Sequence, residues 1–307
     1  MGTTEKDTSR QMLCVIIALA PALIMAVYNF GARAFILTAV CILASVLFEF
    51  LFAKTTKREN TISDLSAVVT GLLLAYNLPP TLPYWMAVIG CFVAIVIVKM
   101  LFGGRGQNFA NPAITARIVL LVSFATPMST WAVAGERFLS AADVTTGATP
   151  LMQFASEELS TLPPSNLEMF IGNIGGSLGE TSAAALLIGG IFLIVKKVIS
   201  PTIPVAFIGT VFVFTWALGF DPVFHILAGG VMLGAIFMAT DPVTSPKTTA
   251  GKIIFGIGCG FLTVVIRIYG TYPEGVSFAI LLMNILTPHI DSLTTRKSRR
   301  AEEGGAA

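Results

Sequence analysis

One run of hydroxyl and small residues, Asp143-Val144-Thr145-Thr146-Gly147-Ala148-Thr149-Pro150, holds the side chains best placed for chemistry. Gly147 and Ala148 remove bulk beside a hydroxyl, so another molecule can approach the backbone closely. The apolar residues Leu151, Met152 and Phe154 follow and can wall a planar ring, and Asp143 stands six residues before Thr149. The same composition also describes a plain polar turn with a Gly and a Pro, which composition alone favours. A second set of candidates is ionisable: Glu49, Asp64, Lys99, Arg117, Asp241, Arg267 and Asp291 lie in or beside apolar blocks. Charges at membrane depth are costly and default to functional roles. Most of these sit near span ends, where snorkelling or helix capping accounts for them. His225 and His289 lack partners at ligand spacing. Cys14, Cys41, Cys91 and Cys259 form no C-x-x-C pair, so neither a zinc site nor an iron–sulfur cluster is encoded locally.

The elements that must position these residues are membrane spans. The 307 residues are 55% hydrophobic and 12% charged, against about a quarter charged in soluble domains. The net charge of +2 gives no basic surface for nucleic acid. A bilayer core of about 30 Å needs roughly 20 apolar residues per helix. Ten segments approach this: 12–29, 34–53, 62–78, 83–102, 112–128, 182–198, 202–219, 223–240, 252–270 and 276–292. The third and fifth are short and carry Asp64 and Arg117. Lys6 and Arg10 before the first apolar run imitate a leader, but the many spans beyond favour an uncleaved first helix. With the N-terminus cytoplasmic, Lys54, Lys57, Arg58, Arg105, Lys196, Lys197, Lys247 and Lys252 all fall inside, with the basic tail Arg296 to Arg300. The longest connection, 129–181, is then outside and carries the Thr149 run. Its apolar patches argue against plain disorder.

The chain also matches itself. Ile89-Gly90-Cys91 recurs as Ile257-Gly258-Cys259, and eight residues past each cysteine stands a base, Lys99 and Arg267. Such a repeat pairs spans three to five with spans eight to ten. A shift by an odd number of spans inverts the second half, as in transporters whose sites lie between inverted repeats. The expected fold is all-α, a polytopic membrane protein of about ten transmembrane helices in two inverted five-helix repeats. Residues 1–128 form the first half, 129–181 the extracytoplasmic loop, 182–295 the second half and 296–307 a cytoplasmic tail.

Over essentially its whole length the chain resembles a known family, the D subunit of the Rnf complex and its relative, the B subunit of the sodium-pumping quinone reductase. The resemblance rests on Ser63-Asp64-Leu65-Ser66, Val69 to Ala75 and Leu78-Pro79-Pro80. It continues through Lys99, Phe102 to Asn108 and Asn111-Pro112-Ala113, and ends with Ala239 to Pro246. Thr146-Gly147-Ala148-Thr149 is similar to the family's flavinylation motif, Ser/Thr-Gly-Ala-Thr/Ser. The resemblance implies FMN bound covalently through its phosphate to Thr149, with Asp143 the matching acid and Thr146, Gly147 and Ala148 as motif context. It further implies a second, non-covalent flavin (riboflavin) near Gly71, Asn108 and Asn111. Asp64 and Asp241 are best placed to line a cytoplasmic ion or flavin vestibule.

The implied role is that of a membrane component in an ion-translocating ferredoxin:NAD+ oxidoreductase of a bacterial or archaeal cytoplasmic membrane. It would relay electrons through FMN and couple them to Na+ or H+ transport. The partners implied are the A and E membrane subunits, the flavin-carrying G subunit, the B and C iron–sulfur subunits, and membrane lipid. This chain carries no NAD fingerprint and no ferredoxin-type cysteine run. The quinone-reductase subunit resembles the chain with an added N-terminal extension, and the short segment before the first span favours the Rnf subunit. A non-redox channel or transporter on the same scaffold is the reading from a different class.

Overall fold

The computed structural model describes residues 5–58, 61–135, 138, 144–155, 164–270 and 274–304. The fold is mostly helical. Among the described residues, four helices are long and apolar enough to cross a membrane: α1 (Glu5–Phe30), α2 (Ala32–Thr56), α13 (Thr249–Tyr269) and the first 20 residues, to Thr295, of α14 (Val276–Gly304). Between them stand shorter apolar helices: α3 (Ser66–Tyr76), α4 (Tyr84–Phe92, continuing in π-turns over Val93–Met100), α5 (Pro112–Ser123), α9 (Ala183–Val195) and α10 (Thr202–Ala217). Their outward faces, such as Leu43 of α2, Ile188 of α9 and Trp216 of α10, remain exposed, as an apolar solvent allows. The chain is a multi-pass membrane protein.

Three expected spans are not continuous helices. The third is a 3₁₀ turn (Ile62–Asp64) followed by the 11 residues of α3, about 17 Å at 1.5 Å per residue, roughly half a bilayer core. Pro79 and Pro80 follow Leu78 and carry no N–H to continue it. The fifth is the 12-residue α5 and the one-turn α6 (Ala125–Met128). The eighth is broken at Ala228-Gly229-Gly230 into α11 (Pro222–Leu227) and α12 (Val231–Leu233, continuing in π-turns to Met238). Gly229, with φ +65°, adopts a left-handed conformation that only Gly reaches without strain.

Broken helices leave carbonyls and N–H groups unpaired at depth, where water cannot satisfy them. Side chains supply the partners. Asn77 Nδ2 donates to Leu73 O (2.7 Å), and Asn111 Nδ2 donates to Met238 O (3.3 Å). The Asn111 N–H donates to Asn284 Oδ1 at 3.0 Å, while Asn111 Oδ1 caps α5 by accepting from Ala113 and Ile114. Buried arginines do the rest: Arg33 Nε donates to Pro80 O at 2.8 Å, and Arg117 Nε to Asn77 O at 3.1 Å. Gly71 is a packing position. A Cβ there would stand 2.7 Å from Cys41 O and 2.8 Å from Ser45 Oγ, so α2 and α3 meet backbone to backbone.

The connection 129–181 has structure of its own in its described parts. Strands β1 (Trp131–Ala132) and β2 (Thr146–Gly147) pair antiparallel, Trp131 opposite Gly147 and Ala132 opposite Thr146. Helices α7 (Pro150–Ala155) and α8 (Asn166–Ile171) occupy the apolar patches read as ordered from the sequence.

Candidate functional site

Thr149 sits between strand β2 and helix α7. Pro150 opens the helix with its fixed φ and missing N–H. Thr149 is the residue before it, its Oγ accepting from Met152 N–H at 3.2 Å and its carbonyl from Gln153 N–H at 2.9 Å. Val133 N–H donates to Thr145 O at 3.1 Å, extending the ribbon. A Cβ on Gly147 would stand 3.1 Å from Val133 Cγ2, so a larger residue would push the ribbon open. Thr145, Thr146, Gly147 and Ala148 are exposed, whereas Thr149 is 8% exposed. Asp143, the matching acid of the motif, lies outside the described residues.

Helix α7 is held down by its apolar face. Leu151 is buried with Met169 of α8, Ile174, Phe224 and Ala228. Phe154 stacks edge-on against Phe220 (5.4 Å) and against the buried His225 ring (4.9 Å). The hydroxyl of Thr149 is thereby fixed over the break between α11 and α12. Beside the motif, an open hollow of about 500 Å³ is bordered by Val133, Ala148, Pro150, Gln153, Glu168 and Gly175. Beneath it, a narrow cleft with about 10 Å³ of room is lined by Thr149, Glu180, Gly229 and Glu274, among others. That is space for one water-sized particle. Thr149 lines the cleft while its neighbours Ala148 and Pro150 border the hollow.

Charge gathers under Thr149. Arg117 of α5 is 3% exposed, donates through Nη1 to Ser277 Oγ (2.8 Å) and pairs with Glu274. Arg267 of α13, also 3% exposed, donates through Nη2 to Ala228 O (2.8 Å) and through Nη1 to His225 O. It caps the C-terminal end of α11, where free carbonyls welcome a cation. Glu180 is 6% exposed. Gly229 and Gly230 make room for this group: a Cβ on Gly229 would lie 3.1 Å from Arg267 Nη2, and one on Gly230 would lie 2.6 Å from Glu180 Oε1. The Ser177–Thr181 turn that carries Glu180 is tied to the end of α3, with Leu178 N–H on Leu78 O (3.1 Å) and Gly179 N–H on Tyr76 O (3.0 Å). Burial raises the Glu180 carboxyl above its ordinary value, against the pull of Arg117, which lies closer in effect than Arg267.

A second charged group lies at the opposite end of the helices. Lys99 Nζ donates to Glu49 Oε2 at 2.6 Å and to Ser66 Oγ at 2.7 Å. Asp64 accepts from Ser66 N–H at 2.8 Å, as its reading as a cap requires, and from Ser66 Oγ. Arg105 stands 3.5 Å from Asp64. A cavity of about 200 Å³ opens beside them, with Ser66, Lys99, Arg105, Asn108, Asn111 and Asp241 in its wall. Asp291 accepts from Lys247 N–H at 2.9 Å. Snorkelling does not explain Glu49, Lys99, Arg117 or Arg267. These four are buried and paired inside the protein, because the broken helices and opposite charges nearby offer what water would.

The sequence reading picked out Thr149 and these membrane charges but not their grouping. Glu180 and Glu274 fall in connections outside the expected spans, and nothing in their spacing ties them to Arg117. The one legible signal is Gly229-Gly230, a glycine pair inside the expected eighth span. Gly71 packs α3 on α2, away from the cavity that Asn108 and Asn111 line.

Comparison with known proteins extends over this whole arrangement. The NQR2, RnfD, RnfE family matches residues 2–300. The D subunit of a Na(+)-translocating ferredoxin:NAD(+) oxidoreductase complex from Acetobacterium woodii is 48% identical over 295 residues, covering 95% of this chain and 91% of the relative. The D subunit of a proton-translocating ferredoxin:NAD(+) oxidoreductase complex from Clostridium ljungdahlii is 45% identical over 304 residues, covering 94% and 91%. The D subunit of an ion-translocating oxidoreductase complex from Stutzerimonas stutzeri is 40% identical over 325 aligned positions, covering 94% and 90%. With a family match across nearly every residue and relatives this similar over nine-tenths of their length, the chain belongs to the NQR2, RnfD, RnfE family.

Proposed function

We propose that this chain is the D subunit of an ion-translocating ferredoxin:NAD+ oxidoreductase complex and carries FMN as a phosphoester on Thr149. The observation that carries the reading is the seat of Thr149, a hydroxyl flanked by small residues between an open hollow and a charged cleft, in a chain 48% identical to such a subunit. The donor set fits the group. The hydroxyl supplies the ester oxygen, the hollow has the volume of a ligand pocket, and Gln153 and Glu168 give its wall polar groups. Bound FMN supplies one-electron relay. The chain's part is to hold it: the aromatic contacts of Phe154 and the burial of Leu151 fix α7, and the Thr146–Ala148 segment leaves the approach open.

In this reading the molecule has ten membrane segments, with 1–128 and 182–295 as inverted halves about the loop 129–181 and the tail 296–307 cytoplasmic. The equivalent bases Lys99 and Arg267 and the broken helices in both halves support it. The loop lies outside, where a secreted flavin transferase reaches Thr149. The cavity of about 200 Å³ between Lys99, Asn108, Asn111 and Asp241 is the proposed seat of a second, non-covalent flavin, riboflavin, and of the cytoplasmic ion entry. The ferredoxin, NAD and iron–sulfur sites belong to partner subunits. The names of relatives carry both Na+ and proton translocation, and ion dependence of ferredoxin:NAD oxidoreduction in sealed vesicles decides between them here.

The test is direct. Chain from native membranes, run under denaturing conditions, fluoresces as a flavoprotein, Thr149→Ala abolishes the band, and Thr149→Ser keeps it. A dark wild-type band from cells expressing the transferase would refute the assignment and favour a plain transporter.

A further inference from the structure

The groups under Thr149 have a charge balance that a flavin would upset. Among the described residues the cluster is Arg117 from α5, Arg267 from α13 and Glu180, all buried, with the half-buried Glu274 from the segment before α14. Two positive and two negative charges sum to zero. His225 of α11 contributes its carbonyl to Arg267, and its ring nitrogens have no hydrogen-bond partner. The guanidiniums are largely engaged: Arg117 binds Asn77 O, Ser277 and Glu274, and Arg267 binds two carbonyls at the end of α11 through its Nη atoms, its buried Nε having no hydrogen-bond partner. A phosphoester joining FMN to Thr149 keeps one acidic oxygen and adds one negative charge at the mouth of the cleft. An uncompensated charge in so buried a place is expensive, and the protein responds by changing protonation or by recruiting a counter-ion.

Glu180 is the group able to respond. It lines the cleft beside Thr149, and the cleft has room for one water-sized particle. Gly230 leaves Glu180 Oε1 free of any side chain on that backbone. Glu274 is committed to Arg117, and neither arginine can give up charge. Resting on the assignment of FMN to Thr149, we propose that Glu180 is the charge-compensating residue of that flavin. Its carboxyl takes up one monovalent cation, a proton or an alkali ion, against negative charge added at Thr149. An electron supplied by the partner subunits would add a further negative charge to the same cofactor, on its ring. Cation occupancy at Glu180 and flavin reduction therefore favour each other, by linkage.

The experiment is a redox titration of the intact complex, with the Thr149 component isolated as the part missing from the Thr149→Ala complex. Wild type and Glu180→Gln are titrated over a range of Na+ at fixed pH, and over a range of pH without Na+. Gel fluorescence is read first; a dark wild-type band refutes the flavin assignment itself, separately from the role of Glu180. With flavin attached, the wild-type potential rises with Na+, toward about 59 mV per tenfold change for one cation per electron, or falls with pH more steeply than that of Glu180→Gln. The first result identifies an alkali ion and the second a proton. Glu180→Gln removes that dependence, and Glu180→Asp restores it, which a merely structural role would not do. A flavinylated Glu180→Gln complex with wild-type Na+ and pH dependence overturns the proposal. If Glu180→Gln does not assemble, a wild-type potential that responds to neither Na+ nor pH overturns it as well.

Discussion

Arg117 and Asn77 meet at 3.1 Å, guanidinium Nε to main-chain carbonyl, where α3 stops after 11 residues, about half the length a bilayer core requires. The helix end needs a donor and the arginine needs acceptors, so two costly features satisfy each other. Arg267 repeats the arrangement at the end of α11. The buried arginines thus hold the broken helices together, and the same residues set the field beneath Thr149.

Removing one partner from such a cluster strands the other. Arg117→Leu leaves Glu274 and the Asn77 carbonyl without their donor, and is expected to cost about 3–5 kcal/mol. Thermal unfolding of the purified protein in detergent reports it. Adding Glu274→Gln should return part of the loss, and a double-mutant cycle measures the coupling. Strict additivity of the two changes would count against the pairing.

Thr149 is 8% exposed because α7 is docked through Leu151. Leu151→Ala is expected to destabilise the docked loop by about 2–5 kcal/mol and to speed flavin attachment to unflavinylated chain by its transferase. The rate of appearance of the fluorescent band measures this. Equal rates for wild type and variant would mean that the folded loop already presents Thr149.

Gly71 has no room to grow. Gly71→Ala puts a methyl 2.7 Å from Cys41 O, and the overpacking is expected to cost about 1–3 kcal/mol. The midpoint of unfolding should fall without loss of the flavin band, since Gly71 lies away from Thr149 in the fold.

Ser165 and Glu168 form a reciprocal capping box at the start of α8, and the Ser165 backbone and hydroxyl donors hold the Glu168 carboxyl below its ordinary range. A depressed carboxyl contributes stability that is present above its unfolded value and is lost as pH falls through the lower folded value. Protection of the 166–171 amides, taken relative to their intrinsic exchange rates, should therefore fall as the solution is acidified below the ordinary carboxylate range. Glu168→Gln should show protection much less sensitive to pH there.

The amino-acid sequence by itself determined that the chain lives in a membrane, that Thr149 stands in a flavinylation-like run, and that Asp64 can cap a helix. Each follows from local pattern: apolar length, residue order, or a polar side chain two or three positions from the N–H it accepts. It read 62–78, 112–128 and 223–240 as spans because hydropathy sums over a window and does not register where backbone hydrogen bonding stops. Where those helices break, and that Arg117, Arg267, Glu180 and Glu274 gather there, only the tertiary structure decided. Arg117 and Ser277 lie far apart in the chain and touch at 2.8 Å. Their meeting depends on how α5 and α14 pack, because in a medium without water a buried charge must find its partner wherever the fold brings one.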